Sequence, residues 1–152
     1  MPLRHLQAIT DGNPDVIEVD NISGEVISID MMATKLRTPD NRSVRIPNEL
    51  VIKTKVVNLT RFPLRRLELL VPIAHPEDFS RIRATLLEIA DKNTLCLAEP
   101  SPQVFISGFG ETTLNVQVWA WASTKHLQEL KVSLSEEIQR ALSGTKRSSL
   151  GI

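Results

Sequence analysis

The sequence predicts an α+β protein in which a small β-barrel is followed by an α/β domain. Residues 16–62 form short segments that alternate between apolar and polar side chains, and turn residues rather than helices separate them. From residue 63 onward, the pattern changes to strand, helix, strand, strand, helix. The chain has 152 residues and 41% hydrophobic content, which is enough to bury a core in each half.

The first three predicted strands have the two-residue period of half-buried strands. They cover residues 16–20, 25–30 and 34–38. Gly24 follows an Asn-Ile-Ser turn and is expected to open the second strand. The third strand places Lys35 and Arg37 on one face, opposite its threonines and leucine.

The next segments continue this pattern after a Pro-Asp-Asn turn at 39–41. A strand is predicted over residues 43–46, and Pro47 should end it because proline lacks the backbone donor of a ladder. Residues 48–51 suffice for a single helical turn. A further strand is predicted over residues 53–61, which makes five short strands and indicates a small barrel or a strongly bent sheet.

The second half begins with an apolar strand over residues 67–74, which we expect to be covered on both faces. Pro76 fits the first position of a helix, and Glu77 and Asp78 lie where the helix dipole favours acids. Apolar residues then recur at helical spacing. They are Phe79, Ile82, Leu86, Leu87, Ile89 and Ala90.

Two more strands and a helix complete the second half. The strands cover residues 103–109 and 114–122, and the second of them has Trp119 and Trp121 on one face and smaller apolar residues on the other. Thr124 is a predicted cap and Gly144 the predicted end of the last helix. Its apolar stripe is Leu127, Leu130, Leu134, Ile138 and Leu142. This order is that of a ferredoxin-like split βαβ unit that lacks its last strand.

The domain organisation that we predict has four parts. They are a lead-in over residues 1–15, a β-domain over 16–62, an α/β domain over 63–143 and a mobile polar tail over 144–152.

Charge and composition exclude several classes of protein. Eighteen basic and eighteen acidic residues give a net charge of +0, so no overall attraction to nucleic acid or membrane follows. No run approaches the roughly 20 apolar residues that span a bilayer, so the chain is expected to be soluble. Cys96 is the only cysteine, which excludes an intrachain disulfide.

We find no constellation typical of an enzyme, a metal site or a cofactor site. His5, His75 and His126 are far apart, and none lies at metal-ligand spacing from another ligand. Cys96 has no flanking positive charge that would lower its pKa, so an inert thiol is favoured over a hydrolase nucleophile. Gly108-Phe109-Gly110 lacks the third glycine and the following helix of a phosphate-binding loop.

The one anomaly is a basic stretch, since residues 35–66 contain nine basic and two acidic side chains. One interpretation is an oligonucleotide-binding module, which would use Lys53, Lys55, Arg61, Arg65 and Arg66. Only Phe62 supplies an aromatic face there, whereas single-strand binders usually have several. A second interpretation is a charged strand edge that prevents aggregation. A third is that strand edges pair with copies of the same chain and close a ring.

A set of short motifs connects the chain to a known family. They are Gly24-Glu25-Val26, Thr34-Lys35-Leu36-Arg37-Thr38, Asp40-Asn41-Arg42, Ile46-Pro47-Asn48, Asn58-Leu59-Thr60-Arg61, Pro63-Leu64-Arg65-Arg66 and Gly110-Glu111-Thr112-Thr113-Leu114-Asn115. In this order they resemble the cytoplasmic part of the mechanosensitive channels of small conductance. The resemblance covers residues 16–142.

This resemblance implies a small Sm-like β-barrel followed by a ferredoxin-like α/β domain. In the family, seven copies form a hollow vestibule on the cytoplasmic side of the cell membrane. The pore above it opens under membrane tension and releases ions and small osmolytes. The resemblance therefore implies a homo-oligomer, suspected to be a heptamer, with no catalytic activity, cofactor or nucleic-acid partner.

The sequence departs from the family in two places. It contains no counterpart of the transmembrane helices, so we expect that it does not conduct by itself and that other segments connect it to the membrane. It also lacks the family's proline-rich carboxy-terminal strand, which puts the subunit number in doubt.

The resemblance also implies where subunits meet, because Sm-like barrels assemble by pairing strand edges. Residues 43–46 and 55–58 would form the two edges. The candidate interface residues are Val44, Ile46, Pro47, Asn48, Val56 and Asn58.

Overall fold

The computed structural model describes residues 14–74 and 78–149, with the backbone alone for residues 144–149. These residues form two compact units that divide between Pro63 and Leu64. The predicted α+β class is confirmed. The predictions for residues 1–13, for His75, Pro76 and Glu77, and for residues 150–152 lie outside the described residues.

The first unit is an antiparallel sheet with one short helix. Its elements are β1 Val16–Val19, β2 Ile22–Ile29, β3 Ala33–Arg37, β4 Ser43–Pro47, α1 Asn48–Lys53 and β5 Val56–Asn58. The strand order is β4-β3-β2-β1-β5, so β4 and β5 are the two edges. The core of the unit is apolar, as the alternation of the strands dictates. It contains Ile17, Val19, Val26, Leu36, Ile46 and Val51.

The second unit packs helices on a three-stranded sheet. Its elements are β6 Leu64–Ala74, α2 Phe79–Lys92, β7 Gln103–Phe109, β8 Thr113–Ser123, a 3₁₀ turn at Thr124–His126 and α3 Leu127–Ser149. The strand β8 lies between β6 and β7 and is antiparallel to both. Hence β6 and β7, which α2 connects along the chain, run parallel to each other.

The predicted periodicities of this unit agree with its burial. On β8 every second residue from Leu114 to Ala122 is buried, and the tryptophans lie on the other face. On α2 the fully buried residues are Leu86 and Ala90, and on α3 the buried stripe includes Leu134. The apolar faces of both helices therefore contribute to the core of the sheet.

The first hairpin differs from the prediction, because its turn lies earlier in the chain. Asp20 and Asn21 have φ values of 50° and 65°, which is the left-handed conformation that two-residue hairpin turns require. Gly24 therefore lies inside β2, opposite Ile17, and does not open the strand. Aspartate and asparagine tolerate this conformation, so the hairpin needs no glycine at its turn.

The predicted strand over residues 53–61 was also wrong in its bounds. Lys53 ends α1, where its ammonium forms an ion pair with Glu49 at 2.8 Å, four residues earlier. Val51 is buried on the same helix. The strand β5 is consequently only three residues long.

Two further predictions in the second unit were wrong. β6 is not covered on both faces, since Leu70 on its outer face is 58% exposed. The last helix starts after a 3₁₀ turn at Thr124 and does not end at Gly144, but continues to Ser149. A glycine inside a helix costs only about 1 kcal/mol relative to alanine, and the residues that follow it are compatible with a helix.

The helix α2 begins at a side-chain cap. The carboxylate of Asp78 accepts a hydrogen bond from the backbone N–H of Ser80 at 3.0 Å. This satisfies one of the amides that the first turn of a helix leaves without a partner. Asp78 was predicted as an acid that the helix dipole favours at this end. The structure shows in addition that its side chain caps the helix.

Candidate subunit interface

The two edges of the first sheet are the strands that the sequence marks as the candidate interface. Among the described residues, β4 pairs only with β3, and β5 pairs only with β1. An antiparallel edge strand uses every second residue for its inner ladder and directs the backbone groups of the others outward. The hydrogen bonds at the strand ends show which residues these are.

On β4 the outward residues are Ser43 and Arg45. The backbone N–H of Thr38 donates to the carbonyl of Arg42 at 2.9 Å, and that of Asn48 donates to Met32 at 2.9 Å. Since bonded pairs alternate along the ladder, the backbones of the intervening even-numbered residues also bond β3. The N–H groups of Ser43 and Arg45 therefore point away from the sheet.

On β5 the outward residues are Val56 and Asn58. The backbone N–H of Leu59 donates to the carbonyl of Val16 at 2.8 Å. By the same alternation, Val57 bonds Glu18 on β1. The backbone groups of Val56 and Asn58 thus point toward the open edge.

The structure divides the six predicted interface residues into three groups, the third of which is Asn48 alone. Val56 and Asn58 present backbone groups at an edge, and Pro47 is exposed there but has no N–H. Val44 and Ile46 use their backbone groups in the inner ladder, and the side chain of Ile46 is 4% exposed in the core. The alternation also assigns Ser43 and Arg45 to the outward-facing set, which sequence analysis did not single out. Which residues of β4 direct their backbone outward depends on the pairing register with β3, and the sequence of β4 alone does not encode that register.

Asn48 has its partners inside the unit. It is 8% exposed, and its amide oxygen accepts a hydrogen bond from the hydroxyl of Thr34 at 2.8 Å. Its amide nitrogen donates to the carbonyl of Asp30 at 2.6 Å. Asn48 therefore fixes the start of α1 against the turn between β2 and β3.

A second polar cluster holds β5 to the start of the sheet. The hydroxyl of Thr60 donates to the carboxylate of Asp15 at 3.0 Å and accepts from the N–H of Val16 at 3.1 Å. The side-chain oxygen of Asn58 accepts from the N–H of Thr60 at 3.0 Å. Asp15 is 8% exposed and was placed in the predicted lead-in, so sequence analysis missed its role.

A hydrogen bond and an ion pair, both made by Asp40, stabilise the turn before β4. The hydroxyl of Thr38 donates to the carboxylate of Asp40, and this hydrogen bond lowers the pKa of Asp40, with a further contribution from Arg42. Arg42 and Asp40 form an exposed ion pair at 2.9 Å. The carboxylate of Asp40 therefore stays ionised to a lower pH than that of an ordinary aspartate, and its contacts with Thr38 and Arg42 close the turn.

The environment of Cys96 favours its neutral thiol. Burial raises the pKa of the Cys96 thiol, and nearby Asp91 adds to this, so the reactive thiolate is disfavoured. His126 lies in the 3₁₀ turn. Within residues 14–74 and 78–149, no group of three or more histidine, cysteine, aspartate or glutamate side chains could hold a metal ion.

Two of the basic residues proposed for oligonucleotide binding have partners within their own unit. Lys53 is paired with Glu49. The guanidinium of Arg66 lies 3.7 Å from the ring centroid of Trp119 and contacts Glu68 at 3.4 Å. A guanidinium stacked on an indole in this way is already engaged in a cation–π interaction.

No helix in the described part of the chain combines the length and the apolar character that a membrane crossing requires.

Two sequence profiles match the chain in tandem. Residues 14–61 match the profile described as "Mechanosensitive ion channel, beta-domain", and residues 67–144 match "Mechanosensitive ion channel MscS, C-terminal". An uncharacterized MscS family protein of Synechocystis is 34% identical over 126 residues, which cover 83% of this chain and 43% of that protein. A small-conductance mechanosensitive channel of Edwardsiella ictaluri is 24% identical over 128 residues, covering 84% of this chain and 45% of that protein. The chain thus spans less than half the length of these two relatives.

Solved structures show the same fold. Helicobacter pylori MscS in a closed state superposes with a TM-score of 0.81 at 24% identity, over 86% of this chain and 52% of that chain. Arabidopsis thaliana MSL1 superposes with a TM-score of 0.71 at 20% identity, over 93% of this chain and 53% of that chain. Together with the two profiles, which follow each other in the order of the two units, these similarities lead to one conclusion. The chain belongs to the MscS family of mechanosensitive ion channels.

Proposed function

We propose that this chain forms the cytoplasmic vestibule of a channel that releases ions and small osmolytes when membrane tension rises. The membrane-spanning part would be supplied by segments outside these residues. The family membership supports this role, since members of the family are mechanosensitive membrane channels and not enzymes. The proposal implies that the chain needs no cofactor and no nucleic acid.

The observation that carries the proposal is the pair of open edges on one sheet. β4 and β5 lie at opposite edges of the sheet. An identical copy can therefore pair its β5 with the β4 of its neighbour, so that each junction uses two different edges. Such a contact is heterologous and closes into a ring when the rotation between copies allows it.

We propose a ring of seven copies, in agreement with the family resemblance. In this arrangement residues 16–62 act as the Sm-like β-domain and residues 63–143 as the ferredoxin-like domain. The antiparallel order of the first sheet and the parallel pair β6 and β7 are compatible with these two folds. The interface would consist of Ser43, Arg45 and Pro47 on one edge and Val56 and Asn58 on the other.

A chimeric channel tests the function. Residues 14–144 would replace the matching part of Helicobacter pylori MscS, which supplies the membrane-spanning part. Patches that contain the chimera are expected to show current when suction is applied, because the vestibule keeps the pore assembled.

The control is the same chimera with Val56→Pro, in which the proposed edge is blocked. We expect no tension-activated current from it. A chimera that reaches the membrane as an oligomer but never conducts under suction would contradict the proposed role. Equal currents from the two chimeras would contradict the edge pairing.

A further inference from the structure

Two methionines are exposed at the turn between β2 and β3. Met31 is 95% exposed and Met32 is 72% exposed. We call residues 30–32 the methionine tip. Other large apolar side chains of this unit are exposed too, such as Ile52 at 54% and Phe62 at 72%, but Met31 is the most exposed of them and Met32 is its direct neighbour. Adjacent exposed apolar side chains mark surfaces that interact with an apolar partner.

The methionine tip is held in place by hydrogen bonds. The carboxylate of Asp30 accepts from the backbone N–H groups of Met32 and Ala33, both at 2.8 Å. The carbonyls of Asp30 and Met32 accept from the side chain and the backbone of Asn48. The two methionine side chains are therefore presented to solvent by a fixed turn.

The tip projects from the end of the sheet where the chain enters β1. Val26 on β2 donates its N–H to the carbonyl of Asp15, which precedes β1. β2 then continues to Ile29 before the tip begins. At about 3.3 Å per residue, the tip lies roughly 10 Å or more beyond Asp15 along the strand direction.

A pair of cations lies next to the tip. Lys35 and Arg45 are directly opposite each other on β3 and β4, and both are exposed. Among the described residues neither forms an ion pair. The amides of Ala33 and Met32 lower the pKa of Asp30, and the positive charges of Lys35 and Arg45 lower it further. The region carries two positive charges and one negative charge.

We propose that the methionine tip and the cations Lys35 and Arg45 dock on the surface of an anionic lipid bilayer. Exposed apolar side chains beside basic ones are the combination that binds the interface of such membranes. This inference rests on the proposed function, with the membrane-spanning part joined to the first unit through the lead-in predicted over residues 1–15.

A bilayer fits the tip better than a second copy of the chain does. Copies would pair along the edges of the sheet, through Val56, Asn58, Ser43 and Arg45. The tip instead points along the strands, on the side of β1 that receives the preceding segment of the chain. A ring would place several tips on the same side, and multivalent contact would strengthen weak single contacts.

Vesicle sedimentation tests this proposal. The chain would be mixed with vesicles of phosphatidylcholine alone or of equal parts phosphatidylcholine and phosphatidylglycerol. We expect binding to the anionic vesicles that falls about tenfold or more in M31S/M32S, since the apolar contribution is lost. We expect a similar fall with added salt and a smaller one in K35Q, which leaves Arg45 on the proposed edge unchanged.

The matched control is Val132→Ser, because Val132 is 50% exposed on α3 of the other unit. It should bind like the unchanged chain. Far-UV circular dichroism checks that each variant is folded, which is expected at positions as exposed as Met31 and Met32. No sedimentation with anionic vesicles, or equal binding by M31S/M32S, would overturn the proposal. A change of native mass in M31S/M32S without vesicles would assign the tip to a contact between copies instead.

The outcome is independent of the test of function. If vesicle binding fails while the chimera conducts under suction, the lipid contact is wrong and the vestibule role stands. If the methionine tip binds lipid but Val56→Pro leaves the current of the chimera unchanged, the edge pairing is wrong and the proposed lipid contact stands.

Discussion

Val56→Pro is expected to split the oligomer into single chains of 17.0 kDa. The N–H of Val56 points toward the open edge, so proline removes a donor that only a neighbouring copy would use. The ring of a proline also blocks close approach of a partner strand. Light scattering after size-exclusion chromatography measures the mass, and the unchanged chain should elute as a multiple of 17.0 kDa.

The control is Val57→Pro, one residue further on the same strand. The N–H of Val57 bonds Glu18 inside the unit, so its loss should cost about 1–3 kcal/mol of folding free energy. Val57→Pro should lower the unfolding midpoint through the lost hydrogen bond, whereas Val56→Pro should change the mass. Val56→Pro should also lower the midpoint of the monomer somewhat, because the side chain of Val56 packs against the core of the first unit. A folded Val56→Pro variant with the mass of the unchanged chain would refute the edge pairing.

Gly24→Val is expected to destabilise the first unit by about 3 kcal/mol. A Cβ atom at Gly24 would lie 2.8 Å from the carbonyl oxygen of Arg37 and 3.1 Å from the Cβ of Leu36. The first contact is with backbone, which cannot rotate away, so β3 would have to move. Even Gly24→Ala should therefore be destabilising.

The two units allow the effect of Gly24→Val to be located. Both tryptophans lie on β8 of the second unit, so urea unfolding followed by tryptophan fluorescence reports that unit. Far-UV circular dichroism reports both units. We expect a lower midpoint by circular dichroism and an unchanged one by fluorescence. Gly108→Ala is the control, because the nearest atom to a Cβ placed at Gly108 is the amide nitrogen of Asn115 at 4.0 Å. Equal stability of the Gly24→Val and Gly108→Ala variants would contradict the tight contact at Gly24.

The parts of the fold that sequence analysis predicted are those with a strong local period. On β8 every second residue is apolar, and on α3 the stripe through Leu130 and Leu134 recurs at helical spacing. These patterns arise because one face of each element is buried, which restricts the side chains directly. The turn at 39–41 was predictable for a different local reason. Asn41 adopts a φ of 68°, a conformation that asparagine tolerates.

The parts that could not be predicted depend on pairing between distant segments. Gly24 looks like a turn residue, but its role is set by Arg37 and Leu36 on the neighbouring strand. The partly buried hydrogen bond between Asp15 and Thr60 joins residues 45 positions apart. Neither contact leaves a local pattern in the sequence.

The candidate interface was also predictable only in part. The strands that form the two edges could be predicted from the resemblance to the family. Which residues on each edge direct their backbone outward could not, because that follows from the register with β1 and β3. Val56 and Asn58 were included in the prediction, whereas Ser43 and Arg45 were not.

Cysteine cross-linking between the two edges tests most directly whether copies pair as proposed. With Cys96 replaced by serine, one cysteine would be placed at residue 43 or 45 and one at residue 56 or 58, giving four double-cysteine variants. Paired strands bring Cα atoms within about 5.5 Å, close enough for a disulfide. We expect at least one variant to give, on oxidation, a ladder of disulfide-linked bands on a non-reducing gel that ends at seven copies. If all four folded variants remain single chains after oxidation, the two edges do not meet between copies.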